Sequence, residues 1–264
     1  MPFRTAGMSE RERNLITKLV QASEQLENIF WRQSDPEGLK LYVSLPPGKD
    51  DLLQQLLFIN AGRFDLFDGN KPLIGNAHVP PGHGFYPEGL TRAGIEEYVR
   101  AHPGKKADIY SPYTVVRRNG NDLEAIPYHV AFKPFLELAA QGLREAAGLS
   151  DDAAFTRFLR LRADALLSDD YYQSDLAWLD LQTPRFDVIF APYETYLDNL
   201  LGVKTSYGAA VLIRDDAQSA RVAAFQKYVP DLQDALPLAP EDRPSKKGML
   251  TEVVSEVRSH AAES

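Results

Sequence analysis

Apolar residues return at helical spacing near the start of the chain. In SERERNLITKLVQASEQLENIFWRQSD, Leu15, Ile16, Leu19, Val20, Ala22, Leu26, Ile29 and Phe30 make one stripe, and Ser9 precedes Glu12 by the spacing of a capping box. The pattern predicts a helix that lies on a core through that stripe and ends near Asp35-Pro36. From Pro46 to Pro103 the pattern breaks up. A helix is expected over 50–60, with Leu52, Leu53, Leu56 and Leu57 on one face, and a short one from a Thr91 cap through Arg100. Between them, NKPLIGNAHVPPGHGFYPEGLTRAG is too dense in Pro, Gly and Asn for a regular element; a loop this long is functional or covers something.

SPYTVVRRNGNDLEAIPYHVAF reads as a hairpin that turns at Asn119-Gly120, because both residues tolerate positive φ. Two helices are expected next. One covers 129–147 and stops at Gly148. The other has a Ser150 cap, with Asp151 and Asp152 at the positive end of its dipole, and runs through Phe155, Phe158, Leu159, Leu161 and Leu166. LSDDYYQSDLAWLDL, helical or turn-like, leads to strands over 186–191 and 206–214 and a helix from Asp215 to about Tyr228. From Leu236 onward the chain is Pro-rich and then charged, and is expected to pack poorly. This order of elements predicts an α+β fold, with helices packed around a small antiparallel sheet or barrel.

Composition narrows the function. The 264 residues are 44% hydrophobic and 25% charged, an ordinary globular balance, and the net charge of −8 excludes a nucleic-acid partner, which needs clustered Lys and Arg. The basic pairs Arg117-Arg118 and Lys246-Lys247 are too short to change that. With no cysteine the chain makes neither disulfides nor thiolate metal sites. The start lacks the apolar core of a signal peptide, and no apolar run approaches the ~18 residues of a membrane span, so a cytoplasmic protein with no membrane partner is expected.

None of the five histidines lies in an H-E-x-x-H motif, and no Walker loop, G-x-G-x-x-G or G-x-S-x-G occurs. His78 and His83 share a loop and read as its polar residues or, less simply, as partners at one metal; His129 reads as a hydrogen-bonded, partly buried ring. The remaining chemistry is carboxylates beside aromatics. FDVIFAPYETYLDNLLGVKTSYGAAVLIRD gathers Asp187, Tyr193, Glu194, Tyr196 and Asp198. Alternation puts Asp187 and Ile189 on one strand face and Phe186, Val188 and Phe190 on the other, so the acid points to water, a partner or a site. Pro192 makes this an edge strand or ends it. An edge strand with acids and tyrosines suits an extended peptide, whose amino terminus a carboxylate can hold; it also suits an ordinary hairpin with solvated acids. The preceding segment has two readings. Leu176, Trp178 and Leu179 lay a helix on the core with its acids solvated, or Tyr172, Asp175 and Trp178 line a cleft wall.

FDVIFAPYETYLDNLLGVKTSYGAAVLIRD, with NIFWRQSDPEG, GRFDLFDGN, SPYTVVR, IPYH and LLSDDYYQSDLAWLDL, resembles the bacterial branch of the dipeptidyl peptidase III family, zinc-dependent enzymes that remove dipeptides from peptide N-termini. The likeness runs from about Leu15 to Lys247. It implies one lobe of a two-lobed protein: residues 1–247 as the peptide-binding lobe, with 248–264 a short divergent tail. The family's zinc sits on the other lobe, on H-E-x-x-G-H and a glutamate in E-E-x-x-A-E, and neither motif occurs here. The resemblance places Glu194 and Tyr196 at the family's E-[ST]-Y positions beside the substrate strand, Asp187 in the strand leading there, and Asp198 and Gly202 in the turn that follows. Where relatives show aromatic-Glu-aromatic in the next strand, this chain has Tyr207-Gly208-Ala209. It thus implies a lobe that binds short peptides, needs no cofactor of its own, is inactive alone and works with a zinc-bearing lobe in trans. Two alternatives stay open: a self-contained hydrolase built on paired carboxylates such as Asp187 and Glu194, with a hard metal, and a non-catalytic scaffold or truncated remnant.

Overall fold

The structure, a computed structural model, describes residues 7–46, 52–65, 68–243 and 252–260. In chain order the elements are α1 (Glu10–Ser34), α2 (Pro36–Ser44), α3 (Leu52–Asn60), β1 (Phe64–Asp65), β2 (Lys71–Pro72), α4 (Arg92–Ala101), α5 (Lys106–Ile109), β3 (Thr114–Asn119), β4 (Asp122–Pro127), α6 (Tyr128–Ala131), α7 (Lys133–Leu149), α8 (Ala153–Leu166), α9 (Tyr172–Leu179), β5 (Phe186–Glu194), β6 (Ser206–Arg214), α10 (Asp216–Gln226), α11 (Val229–Asp234) and β7 (Val254–His260). This is the α+β arrangement of helices around small antiparallel sheets. Among the described residues no helix is long and apolar enough to cross a membrane.

The first helix organises the core. Ser9 Oγ accepts from the Glu12 N–H while the Glu12 carboxylate accepts from the Ser9 N–H, closing the capping box. Leu15, Leu19, Leu26 and Ile29 are buried against α7 and β6, each contributing about 1.5–3 kcal/mol of burial. On α7 the facing residues are small, Ala139, Ala140, Gly142 and Ala146. A Cβ on Gly142 would stand 3.0 Å from that of Ala22, so any larger residue there pushes the two helices apart. Helix α7 packs in turn on α8, and α8 on α9.

Strand order in the main sheet is β5-β6-β7, antiparallel throughout. β5 and β6 pair from Phe186↔Ile213 to Pro192↔Tyr207; then Glu194 pairs with Ser206, leaving Tyr193 as the extra residue of a bulge. Phe186, Val188 and Phe190 are buried, whereas Asp187 and Ile189 face outward.

Several elements differ from the sequence pattern. Pro36, at the first turn of α2, starts a helix where the pattern shows only an end. The expected helix over 129–147 is two helices, broken at Phe132 because Pro134 can occupy only the first turn of α7. Asp152, not Ser150, caps α8, its Oδ1 accepting from the Ala154 and Phe155 N–H groups. The two-residue hairpin turn is Gly120-Asn121, one position later than expected, with Gly120 at φ +61°. β5 runs through Pro192 to Glu194, so the proline marks an edge and not an end. The segment expected to pack poorly supplies β7, paired with β6 from Ala209↔His260 to Arg214↔Val254. Asp50, Lys246-Lys247 and the boundary at 247 lie outside the described residues.

Candidate functional site

Four buried tyrosines lie in the core here, and two of them, Tyr128 and Tyr86, bond to the loop that follows β5. Tyr128 Oη donates to the Thr205 carbonyl at 2.8 Å, and the Tyr171 and Tyr207 hydroxyls meet at 3.0 Å. Gln33, fully buried on α1, accepts from the Tyr207 N–H at 2.8 Å and donates to the Thr205 carbonyl. Tyr86 Oη donates to Asp198 at 2.9 Å, and burial with that carboxylate nearby drives its ionisation far above the usual phenol range.

Asp198, expected among the substrate-binding residues, is instead spent on this loop. Its Oδ1 accepts from the Leu200 and Leu201 N–H groups, and its Oδ2 from Val203, Lys204 and Tyr86. These donors hold its carboxyl below the usual carboxylate range against the opposing effect of burial. With five donors on two oxygens and 3% exposure it has no lone pair left for a ligand. Lys204 is fully buried beside it, and its Nζ donates to the Ile109 and Ser111 carbonyls and to Thr114 Oγ1, each at 2.7 Å. Sequence reasoning passed over this lysine; a lone Lys between apolar residues and a strand was the available signal.

The outward face of β5 meets α8 and α9. Asp187 accepts from Trp178 Nε1 at 2.9 Å and from the Val188 N–H at 2.7 Å, and burial raises its pKa. At the other end of β5, three side chains close a ring: Arg162 Nη2 donates to Asp175 Oδ1 at 2.6 Å, Arg162 Nη1 donates to Tyr193 Oη at 2.9 Å, and Tyr193 Oη donates to the same Asp175 oxygen at 2.7 Å. Burial pushes the Tyr193 phenol up to about 12. Arg162, 2% exposed, was not singled out by sequence because it sits on the stripe-bearing helix α8 as one more charged residue.

Helix α9 does not lie on the core through Leu176, Trp178 and Leu179. All three are exposed, Leu179 by 67%, while Tyr171, Ser174 and Ala177 turn inward. Tyr172 is exposed as well, one helical turn before the ring residue Asp175 and on the same side of α9. The structure brings Asp175 and Trp178 to β5 through hydrogen bonds to Tyr193 and Asp187, and among the described residues no such bond joins the Tyr172 side chain to β5.

Glu194 owes its direction to the bulge. Up to Pro192 each pair has the same register, and at Glu194↔Ser206 the register is one residue out. Without the bulge Glu194 would share the inward parity of Phe186, Val188 and Phe190; with it, Glu194 joins the face of Asp187 and Ile189. Glu194, Tyr193 and Tyr196 are exposed. Among the described residues, no hydrogen bond or ion pair engages the Glu194 carboxylate.

Elsewhere, Asp35 at the end of α1 takes the Arg63 backbone N–H, Nε and Nη2 at 2.8–2.9 Å, which hold its carboxyl down. His129 Nδ1 lies 2.7 Å from Asp169 Oδ2 and is a hydrogen-bonded, partly buried ring, as its sequence context suggested. His83 Nδ1 contacts the Ser34 carbonyl, and among the described residues no group of three His, Asp or Glu side chains can hold a metal ion. Zinc, which the sequence resemblance implies for the family, has no fitting ligand set in these residues.

No protein-family model matches the chain. Among curated proteins it is 38% identical over 287 residues to Nudix hydrolase 3 of Arabidopsis thaliana, covering 88% of this chain and 37% of the relative. Among solved structures it is similar to DPP III from Caldithrix abyssi, with a TM-score of 0.87 and 34% identity over 98% of this chain and 50% of that one. It is also similar to dipeptidyl-peptidase III from Corallococcus sp. strain EGB, with a TM-score of 0.83 and 29% identity over 97% and 49%. The chain spans about half the length of these structures and 37% of the curated relative.

Proposed function

We propose, from the premise that this chain is dipeptidyl peptidase III-like over nearly its whole length, that it is the peptide-binding lobe of such a peptidase. A short extended peptide would add to the free edge of β5, with its amino terminus at Glu194. The single observation that carries this reading is the edge itself: among the described residues β5 pairs only with β6, and it ends in an exposed, unengaged carboxylate between two exposed tyrosines.

The acids of the site divide by occupation. Asp198 is filled by its loop, Asp175 is matched to Arg162, and Asp187 already accepts from Trp178 and its own strand. Of these, Glu194 is the one with neither oxygen engaged among the described residues, and it is the carboxylate we assign to accept an ammonium group. Main-chain pairing along β5 would supply affinity without sequence preference, and Ile189, Trp178 and Tyr196 would touch side chains on the outward face. The two halves of catalysis then separate. Cleavage would need a metal-activated water and a base, which the described residues do not assemble, so we assign both to a separate zinc-bearing lobe.

The rival reading of a self-contained hydrolase, with Asp187 and Glu194 as paired acids, meets a distance problem. Seven residues apart along a strand, they stand roughly 20 Å from each other, whereas working carboxylate pairs lie roughly 5–10 Å apart. The hydrolase named in the curated comparison is matched over 37% of its length, and its name says nothing of which part this chain resembles.

Calorimetric titration with tri- to pentapeptides tests the proposal. A charge-assisted hydrogen bond to a peptide ammonium is worth about 1.5–3 kcal/mol, so Glu194→Ala should weaken binding by roughly ten- to a hundredfold. Equal heats for the parent and the variant would remove Glu194 from the site, and no heat with any peptide would remove the site.

A further inference from the structure

Arg162 is an expensive residue to keep. Its guanidinium is 2% exposed among the rings of Phe158, Tyr171 and Tyr193, 5.4–5.8 Å from their centres, and its Nε has no hydrogen-bond partner among the described residues. Its one carboxylate partner, Asp175, is itself 38% exposed and would rehydrate readily if released. A buried cation with one such partner and an orphaned N–H contributes little to stability, and an apolar side chain of similar volume commonly does as well or better.

What Arg162 does supply is geometry. Its fork ties Tyr193 to Asp175 in the closed ring described above, and Tyr193 is the extra residue of the β5 bulge. The bulge alone puts Glu194 on the outward face. We infer that Arg162 is a positioning residue: from inside the helical layer it pins Tyr193 out of the ladder, and so holds Glu194 on the face where a peptide would dock. This deepens the reading of Glu194 as the ammonium acceptor and rests on it. A strand with Tyr193 released can re-pair Tyr193 with Ser206, and that one-residue slip turns Glu194 toward the core side.

The test uses the full chain with Arg162→Met, Arg162→Lys, Tyr193→Phe, Glu194→Ala and the Arg162→Met/Glu194→Ala double variant. Three quantities are read: melting temperature, amide hydrogen exchange along β5 without ligand, and peptide affinity. Arg162→Met should melt within about 3 °C of the parent, or above it. Exchange at the Tyr193–Tyr196 end should rise by about tenfold or more while the Val188–Phe190 stretch stays protected. Its affinity loss should match that of Glu194→Ala, and the double variant should bind no more weakly than Glu194→Ala alone, since both substitutions remove one interaction. Arg162→Lys keeps the charge without the fork and should recover less than half of the loss. Tyr193→Phe keeps the ring and removes the hydroxyl, so it should repeat the exchange and affinity changes even if Arg162→Met does not fold.

Unchanged exchange at the β5 end in both Arg162→Met and Tyr193→Phe overturns the inference. So does a double variant whose loss is the product of the two single losses. If the parent itself binds no peptide, the proposed function falls, and the pin is then decided by the exchange measurement alone.

Discussion

Residues of one type, within one short stretch, take opposite parts here. Asp187, Glu194 and Asp198 lie within twelve positions of each other, and of the three only Glu194 has neither carboxylate oxygen engaged among the described residues. Asp198 instead replaces missing backbone partners for four loop N–H groups, those of Leu200, Leu201, Val203 and Lys204, and for a tyrosine hydroxyl, the work of a carboxylate in a tight turn. Asp198→Ala should therefore destabilise the chain by about 3–5 kcal/mol in urea denaturation, because it strands several buried donors at once. A loss below about 1 kcal/mol would mean that Tyr128, Gln33 and Lys204 hold the loop without it. The expectation that Asp198 faces substrate came from its place beside P-Y-E-T-Y. Sequence neighbourhood cannot tell an acid facing outward from one folded back onto its own loop.

At the scale of elements, two outcomes were decided by tertiary context. One is the bulge at Tyr193, which converts an inward position into an outward one. The other is β7. Its sequence, short and charged, alternates too weakly to announce a strand, and it forms one because β6 offers an edge above a buried row, with Val257 packed against the core. Ending the chain after Arg243 removes that partner and bares the β6 edge. The melting temperature should drop by about 5 °C or more, and the shortened protein should aggregate faster, as light scattering would show. An unchanged melting temperature would mean that the last strand is an accessory to a sheet already complete in β5 and β6.

The whole molecule responds to pH through its buried acids. Asp35 is 4% exposed and bonded to Arg63 through three contacts. Its pKa is lower folded than unfolded, so the stability it adds is present above the unfolded value of about 4 and is lost as pH falls through the depressed folded value. Asp198 acts in the same sense, while Asp187 and Asp169, raised by burial, oppose it. Asp35→Asn should thus cost about 2–3 kcal/mol at pH 7, with the gap to the parent closing below about pH 4. A gap that stays constant over that range would mean that the pair with Arg63 is not ionic. Periodicity by itself determined the capping box and stripe of α1, the strand β6 with its bounds, the inward row of β5 and the α+β class, because each depends on local spacing that burial then confirms. Tertiary structure alone decided that Arg162 faces Tyr193, that Asp198 turns inward, that Leu176, Trp178 and Leu179 stay outside and that a charged segment completes the sheet. Those outcomes depend on what the rest of the chain offers as a partner: a buried polar group goes where its hydrogen bonds can be met, and a strand forms where an edge is open.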